Sequence, residues 1–571
     1  ARHYDIASSK DSDKSKAIES YSRIVTRFPS SEFAPEAWMG LAGNYFELRE
    51  YDQAIKAADN YLNNFAASEY TPHLLYIKGM ATRNMGNYQG ALEIFKNVVY
   101  GYPFSSYANR ARFELATAQL QTGKILEAYS NYQSFIQSYP SSKNIHEARY
   151  GIARCLIRMG KKDEAVAILN DLLDEKLAEA AAAGVHYELA SIAENNGEIY
   201  AAIQHYKKVL SSKEYSRKES VFLHVGGLYF QNRIYSDAAE AYEKAFELAD
   251  SEKDSLAALK GSIIALIMDG KQNRADKKFD LYKKRFASDI TGMVEIIYHE
   301  GLHFQNIKKY DKAVNRFNHV VGKYDKSERV DDAAYQIALS HYFDNNKEKS
   351  LDLFRSFIQK YPTSEFVPLA RFKVAMIYHG QDEFALAARE FSTVAANEKT
   401  DKETRFRSAH NAAIDYQRVA GWMDAAGMYR MILKEYPDDV QESNMHLKIG
   451  FCLVQASRFE EALIHFQKAG KNPNKEDKPE ILYWIATCHA KLGEYRNAIA
   501  EYLKVPYLYS GIGKWGITGE LEAARLYERL GEYDKARSLY KKIVRSDGQH
   551  GRFGKDASER LARLENLTEE K

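Results

Sequence analysis

The chain is short of cysteine and proline and has no long apolar run, and each shortage removes a class of protein. Three cysteines in 571 residues (Cys155, Cys452, Cys488) are too few and too scattered for a disulfide framework. Eleven prolines and 32 glycines are too few for a collagen-like chain or a turn-rich β-sandwich. The longest aliphatic run, Ile263 to Met268, falls far short of the roughly 20 apolar residues a spanning helix needs. Neither sign of charge is in excess. Lys+Arg 80 against Asp+Glu 78 leaves +2, which argues against a whole-chain nucleic-acid binder or a polybasic membrane-surface protein. No signal-peptide pattern is visible, and the chain opens at Ala1 without methionine, so a processed or trimmed start is expected. What is present in quantity is tyrosine, 41 residues, within an apolar fraction of 45% that is ordinary for a folded protein. A length of 571 predicts roughly three to five domains unless the chain is a repeat array.

It is a repeat array. An alanine with an aromatic four residues later recurs through the whole chain. The anchors are Ala17, Ala54, Ala91, Ala128, Ala165, Ala202, Ala238, Ala275, Ala313, Ser350, Ala387, Ala425, Ala462, Ala498 and Ala536, always 36, 37 or 38 residues apart. Four residues after the anchor stands Tyr or Phe, from Tyr21 and Phe95 to Tyr502 and Tyr540, with Ala58 and Leu169 the two exceptions. Twelve residues before it stands Ala or Gly (Ala42, Gly79, Ala116, Ala153 and onward), with Ile263 the one large residue. Five residues before it glycine recurs: Gly86, Gly123, Gly160, Gly197, Gly270, Gly493 and Gly531.

These spacings are those of a helical hairpin. Intervals of three, four and seven place apolar residues on one helix face. Glycine ends the first helix in a left-handed cap and lets the chain reverse. A small residue in the first helix is expected to meet the anchor of the second, with the aromatic filling the gap toward the next repeat. Each buried aromatic contributes roughly 2–3 kcal/mol. A lone hairpin cannot cover both faces, so stability comes from stacking. The three cysteines all lie ten residues before an anchor, which reads as one buried small-apolar slot.

Small–x–x–aromatic in the first helix, Ala–x–x–x–aromatic in the second and a closing proline resemble the tetratricopeptide repeat. The resemblance covers the whole chain, with 14 full repeats and a partial first, and implies an all-α superhelical solenoid. The period exceeds the family's usual one by about three residues. The excess falls after the second helix, in Phe28-Pro29-Ser30-Ser31, Tyr102-Pro103, Tyr139-Pro140-Ser141-Ser142, Tyr361-Pro362-Thr363-Ser364 and Tyr436-Pro437. This variant is similar to repeats of bacterial envelope proteins, the BamD-type outer-membrane assembly lipoproteins and the Tol–Pal-associated division coordinators. The likeness is best in residues 15–140, including Ala54 to Asn63 and Tyr76-Ile77-Lys78-Gly79. The chain has more repeats than either, and no N-terminal lipidated cysteine is visible.

The pattern divides the chain as follows. Residues 1–36 form a partial N-terminal repeat, so further native sequence upstream is expected. Residues 37–176 are regular repeats with Tyr-Pro-x-Ser turns, 177–330 are divergent and proline-free, 331–547 are C-terminal repeats, and 548–571 are a capping helix (Ala557, Leu561, Leu564) with a polar tail. The proline-free turns at Glu214, Asp250, Ala287 and Asp325 suggest a more pliable middle. Asn397 to Arg405, Lys468 to Glu480 and Val505 to Gly519 read as loops. The last carries Pro506, Tyr507, Tyr509, Trp515 and Gly511-Ile512-Gly513-Lys514, which lacks the spacing of a phosphate-binding loop.

One motif has catalytic form. His299-Glu300-Gly301-Leu302-His303 matches H-E-x-x-H, in which two histidines on one helix face bind zinc beside a glutamate base. The repeat explains the same residues. Gly301 is the expected small residue, Phe304 fills a recurring aromatic slot, and no third ligand follows at the usual distance. His299 and His303 are therefore weak metal candidates, and no cofactor or catalytic set is expected. The stronger signal lies fifteen residues before the anchors: Tyr76, Phe113, Tyr150, Tyr187, Tyr298, Tyr335, Phe372 and Tyr483. The resemblance implies that first helices line a concave groove, so these form an aromatic ladder for an extended or helical peptide. Arg83, Gln121, Arg154 and Arg158 form its rim, with Asn84 and Asn195 beside them. The expected function is a non-enzymatic scaffold of a periplasmic or outer-membrane assembly. Its partners are other proteins, either peptide segments or folded envelope proteins, with no nucleic acid. The alternatives are a zinc metallopeptidase, a cytosolic adaptor and a polysaccharide-export scaffold. The sequence leaves the oligomeric state open.

Overall fold

A computed structural model describes residues 11–65, 68–509 and 515–569. Among these the chain forms thirty α-helices and no strand. They alternate as expected. Each second helix carries an anchor, from Asp11–Arg27 with Ala17 to Tyr533–Asp547 with Ala536. Between them stand first helices such as Thr71–Asn84, Ile145–Arg158 and Glu442–Gln455. The chain divides into two compact units, Ala1–Ala287 and Ser288–Lys571. Within each, consecutive helices pack pairwise, as a stack of hairpins must. In the second unit the last helix, Arg552–Glu569, buries Ala557 and Leu564 against Ala536, Tyr540 and Ile543.

The turn inside each hairpin has one geometry. All seven recurring glycines sit at φ between +75° and +83°. The other seven hairpins place Arg49, Arg233, Lys308, Asn345, Asp382, Ala420 and Ser457 at the same position, at φ between +58° and +62°. The cap is the same with or without glycine. Asn87 N–H donates to Thr82 O at 3.1 Å beyond Gly86, and Gly421 N–H donates to Tyr416 O at 2.8 Å beyond Ala420. This bond closes the Schellman motif and satisfies helix-end carbonyls.

The turn between repeats depends less on proline than the sequence suggests. In Tyr139-Pro140-Ser141-Ser142, Ser142 N–H donates to Tyr139 O at 3.0 Å and Ile145 N–H to Ser142 O at 3.1 Å. The proline-free Tyr324-Asp325-Lys326-Ser327 repeats the pattern, with Ser327 N–H on Tyr324 O at 2.9 Å and Val330 N–H on Ser327 O at 3.2 Å. Serine and the helix-end carbonyl define this turn. The three expected loops are also shorter than expected. The helix Lys402–Arg418 starts inside the first of them, capped by the Asp401 carboxylate accepting from Thr404 N–H at 2.9 Å. Lys478–Lys491 starts inside the second. Val505 and Pro506 belong to the helix Tyr495–Leu508, and Trp515 opens the next. Residues 511–514 lie outside the described part.

Packing inside a hairpin rests on the small residue, the anchor and the ring together. Ser350, the one anchor that is not alanine, donates its Oγ–H to Ala338 O at 3.0 Å. The anchor thus lies on the backbone of the residue twelve before it. The ring takes the side-chain direction of that small residue. A Cβ added at Gly79, Gly301 or Gly450 would stand 2.6 Å from Phe95, Phe317 or Phe466. Where alanine holds that position, a glycine of the following first helix can supply the space, as Gly151 does for Tyr132. Ring hydroxyls are met by the first helix of the same hairpin. Tyr132 shares a hydrogen bond with Thr117 at 3.0 Å, and Tyr540 donates to Glu528 at 2.9 Å. In the row, Phe95, Phe317, Phe354, Phe391 and Phe466 are fully buried, while Tyr242 and Phe279 are half-buried. Beside Phe279, Tyr282 is fully buried instead, three residues further on.

The cysteines occupy the slot assigned to them. Cys155, Cys452 and Cys488 are free and wholly buried, and burial raises the thiols of Cys155 and Cys488 to about 11 and about 12. Thiols held so far from ionisation are inert packing groups at neutral pH.

Candidate protein-binding surfaces

The ladder positions fall on first helices, but the fold uses most of the rings internally. In the first unit Tyr76 and Phe113 are half-buried, with centroids 6.0 Å from Phe95 and 6.0 Å from Tyr132 in their own hairpins. Tyr187 lies 5.7 Å from Tyr206 yet keeps 39% of its surface exposed. Tyr150 differs from the others because its hairpin carries Leu169 where the others carry a ring. Its hydroxyl reaches the next repeat instead, donating to Gly184 O and Glu188 Oε1, each at 3.3 Å. Burial and the Glu188 charge raise the Tyr150 phenol above its ordinary range.

The rim residues tie successive repeats of this unit together. Arg154 pairs with Glu188 at 3.3 Å and stands over the Tyr150 ring at 5.9 Å. Arg158 donates to Leu120 O at 2.8 Å across one repeat. Arg83 forms an ion pair with Glu114, whose carboxyl is raised by burial and held down in part by that arginine. Gln121 is exposed at the end of its helix. Tyr150, Arg154 and Glu188 thus join two successive repeats, and Tyr187, next to Glu188 in the chain, is the open ring on the same helix.

In the second unit the rungs are better covered. Tyr298 and Tyr335 keep only 6% and 5% of their surface. Arg329 stands 5.2 Å over Tyr298, and Phe366 stacks on Tyr335 at 4.9 Å. Burial pushes both phenols up to about 12. Phe372 packs on Phe391 at 5.4 Å. Tyr483 is enclosed by Tyr502 at 5.4 Å and Trp515 at 5.0 Å. Trp515, read from sequence as part of a loop, is thus a packing residue, whereas Tyr507 on the preceding helix is strongly exposed.

The H-E-x-x-H residues are engaged elsewhere. Glu300 is buried and pairs with Arg316 Nε at 2.9 Å. His299 Nδ1 is 2.9 Å from the carbonyl of Glu295, one turn back in its own helix. Burial and Lys309 lower the His303 imidazole. Among the described residues no group of three or more His, Cys, Asp or Glu is arranged to hold a metal ion.

Clefts at the turns between repeats were not foreseen from the sequence. One of about 650 Å³ lies between Tyr76, Arg110 and the Tyr139–Asn144 turn. Another, beside Pro72 and the Tyr102–Tyr107 turn, carries the fully exposed Phe104. The available signal was the extra three residues per repeat, which fall in these turns.

Helical hairpins of this geometry and period define a helical-repeat protein built to present surface. Tetratricopeptide-repeat families match residues 150–217, 332–364, 479–508 and 521–550. An outer membrane lipoprotein family (YfiO) matches residues 4–85 and 71–182. The chain is a tetratricopeptide-repeat protein whose first 182 residues resemble that lipoprotein family. Among solved structures it is similar to the APC/C hetero-tetramer Cut9–Hcn1, at 13% identity and a TM-score of 0.26, over 89% of this chain and 98% of that one. It is also similar to yeast Tom70, at 16% identity and a TM-score of 0.31, over 84% and 99%. Both likenesses are too remote to bear on function. No helix of the described residues is long and apolar enough to cross a membrane.

Proposed function

We propose that the chain is a non-enzymatic scaffold that gathers partner proteins of a bacterial cell-envelope assembly, in the periplasm or at the outer membrane. The observation that carries this reading is the match of residues 4–182 to an outer membrane lipoprotein family. Partners dock on the first-helix faces through the rungs that keep open surface, Tyr76, Phe113, Tyr150 and Tyr187 in the first unit and Phe372 and Tyr483 in the second, while Tyr298 and Tyr335 lie covered beneath Arg329 and Phe366. Arg83, Gln121, Arg154 and Arg158 border the first set. Tyr187 is the centre of the first face, because it is the exposed rung. Aromatic rings and arginine are the groups that dominate protein–protein binding energy. The repeats supply rigidity, so recognition costs little ordering of the scaffold.

Photo-crosslinking in native cells tests this. A crosslinker at position 187 is expected to capture a defined envelope protein. One at Tyr200, on the second helix of that hairpin and 77% exposed, is not. Tyr150→Ala and Tyr187→Ala should weaken capture, and His303→Ala should leave it unchanged. Equal capture at 187 and 200 would remove the docking face. Fractionation of the protein with the cytoplasm would remove the envelope role.

A further inference from the structure

Two hairpins, one in each unit, carry a histidine pair at the same two repeat positions, sixteen before and three after the anchor. His186 Nδ1 lies 3.1 Å from His205 Nδ1, and His446 Nδ1 lies 2.9 Å from His465 Nδ1. Each pair joins the first helix of its hairpin to the second, Glu179–Asn195 to Ile199–Ser211 and Glu442–Gln455 to Phe459–Ala469. Some hairpins fill both positions with apolar residues, Leu75 and Ile94 or Ala334 and Leu353, and others carry one charged residue there, as at Arg149 or Lys278. One uses an ion pair, Arg371 to Glu390 at 2.7 Å.

We propose that the two histidine pairs are acid-sensitive latches, holding their hairpins closed near neutral pH and loosening them as the second imidazole of each pair takes up a proton. At 2.9–3.1 Å there is room for one proton between the facing nitrogens. One ring donates Nδ1–H and the other accepts. A second proton leaves two N–H groups and two positive charges facing each other, which breaks the bond and repels the helices. The surrounding charges favour the neutral pair. Lys208 acts on His186, Lys468 on His446, and Arg430 and Lys468 on His465. Glu442, 3.5 Å from His446 Nε2, and Glu461, acting on His465, oppose them.

Burial lowers all four imidazoles, and His465 falls to about 4. A histidine whose folded pKa lies below its unfolded value of about 6.5 stabilises fully above 6.5. It loses that contribution as pH falls toward the folded value. For the His446–His465 pair the window is therefore about pH 6.5 down to 4.

Hydrogen exchange of the full chain at about pH 5 and pH 7.5, corrected for intrinsic rates, reads this directly. Amides of residues 442–469 should lose about tenfold more protection at the lower pH than those of the Arg371–Glu390 hairpin, residues 367–395, and amides of residues 179–211 should also lose more than that hairpin does. In the His446→Leu/His465→Leu double variant the excess loss should vanish at 442–469 and persist at 179–211. Should that variant not fold, His465→Gln takes its place with the same expectations. Equal loss in all three hairpins, or an excess at 442–469 that survives the substitution, would overturn the proposal.

Discussion

The conformational cost of the hairpin turn can be isolated in this chain, because one position is glycine in seven repeats and another residue in seven. Gly86 sits at φ +83°, and a Cβ added there meets nothing within 4 Å. Gly86→Ala therefore adds no clash, only the strain of a left-handed residue bearing a Cβ, about 1–2 kcal/mol. Alanine also lowers the freedom of the unfolded chain, which returns about 0.4–1 kcal/mol. The net loss is about 0.5–1 kcal/mol. Ala420, exposed and at φ +58°, is the reverse case. Ala420→Gly removes the strain and should gain a similar amount. A repeat array does not unfold in two states, so a melting temperature blurs the effect. Native-state hydrogen exchange on the flanking hairpins resolves it. Protection of residues 71–101 should fall roughly two- to fivefold in Gly86→Ala, and that of residues 402–435 should rise by a similar factor in Ala420→Gly. A neutral Gly86→Ala, or the same sign in both variants, would refute the argument that the turn is strained wherever glycine is missing.

Three further outcomes are expected. Ala153→Leu should overpack the wholly buried small position of its hairpin and cost about 1–3 kcal/mol, read as lost exchange protection in residues 145–173. Arg83→Met leaves the buried Glu114 carboxylate without its ion pair, at about 3 kcal/mol near neutral pH. Burial already raises the Glu114 pKa above 4.5, and losing the arginine raises it further. Stability is then lost as pH rises through the folded value, so the deficit of Arg83→Met against wild type should shrink as pH is lowered toward 4.5. A deficit independent of pH would place it in lost packing instead. Chelator-washed protein should return no stoichiometric zinc by metal analysis; one tightly held zinc removed by His299→Ala would contradict the pairing of Glu300 with Arg316.

The fold was legible because every repeat states it again. A single Ala–x–x–x–Tyr means little, but fifteen anchors in register fix helix order, hairpin turns and the buried row. What stayed hidden was whatever depends on a neighbouring repeat. Arg49 and Ser457 take the left-handed turn without glycine's signature, because the packed helices on either side impose it. Gly40, Gly151 and Gly261 share a position fourteen before the anchor that other repeats fill with larger residues, and each holds the ring of the repeat before it. The turn at Tyr324 closes without proline because Ser327 supplies the same bonds.

The same reasoning explains why the ladder reads unevenly as a binding surface. Spacing places a residue on the inner face of a first helix, but its exposure is set by what its own hairpin and the next repeat lay over it. Tyr298 and Tyr335 are covered by Arg329 and Phe366, residues at the start of the following first helix. Tyr187 has no such cover over 39% of its surface, although its sequence position is identical. Tyr150 is freed from a ring partner by a change nineteen residues away, Leu169 for Tyr or Phe, and the phenol turns outward to bridge repeats. Substituting the covering residue is therefore the way to move a rung between roles. Phe366→Ala should expose the Tyr335 ring and create an open rung in the second unit, while Leu169→Phe should draw Tyr150 back onto its own hairpin. If partner capture follows the open rings rather than the positions, the scaffold recognises by exposure within a fixed frame. Capture indifferent to both substitutions would mean that the turn-edge clefts beside Phe104 and Tyr139, and not the helix faces, receive the partner.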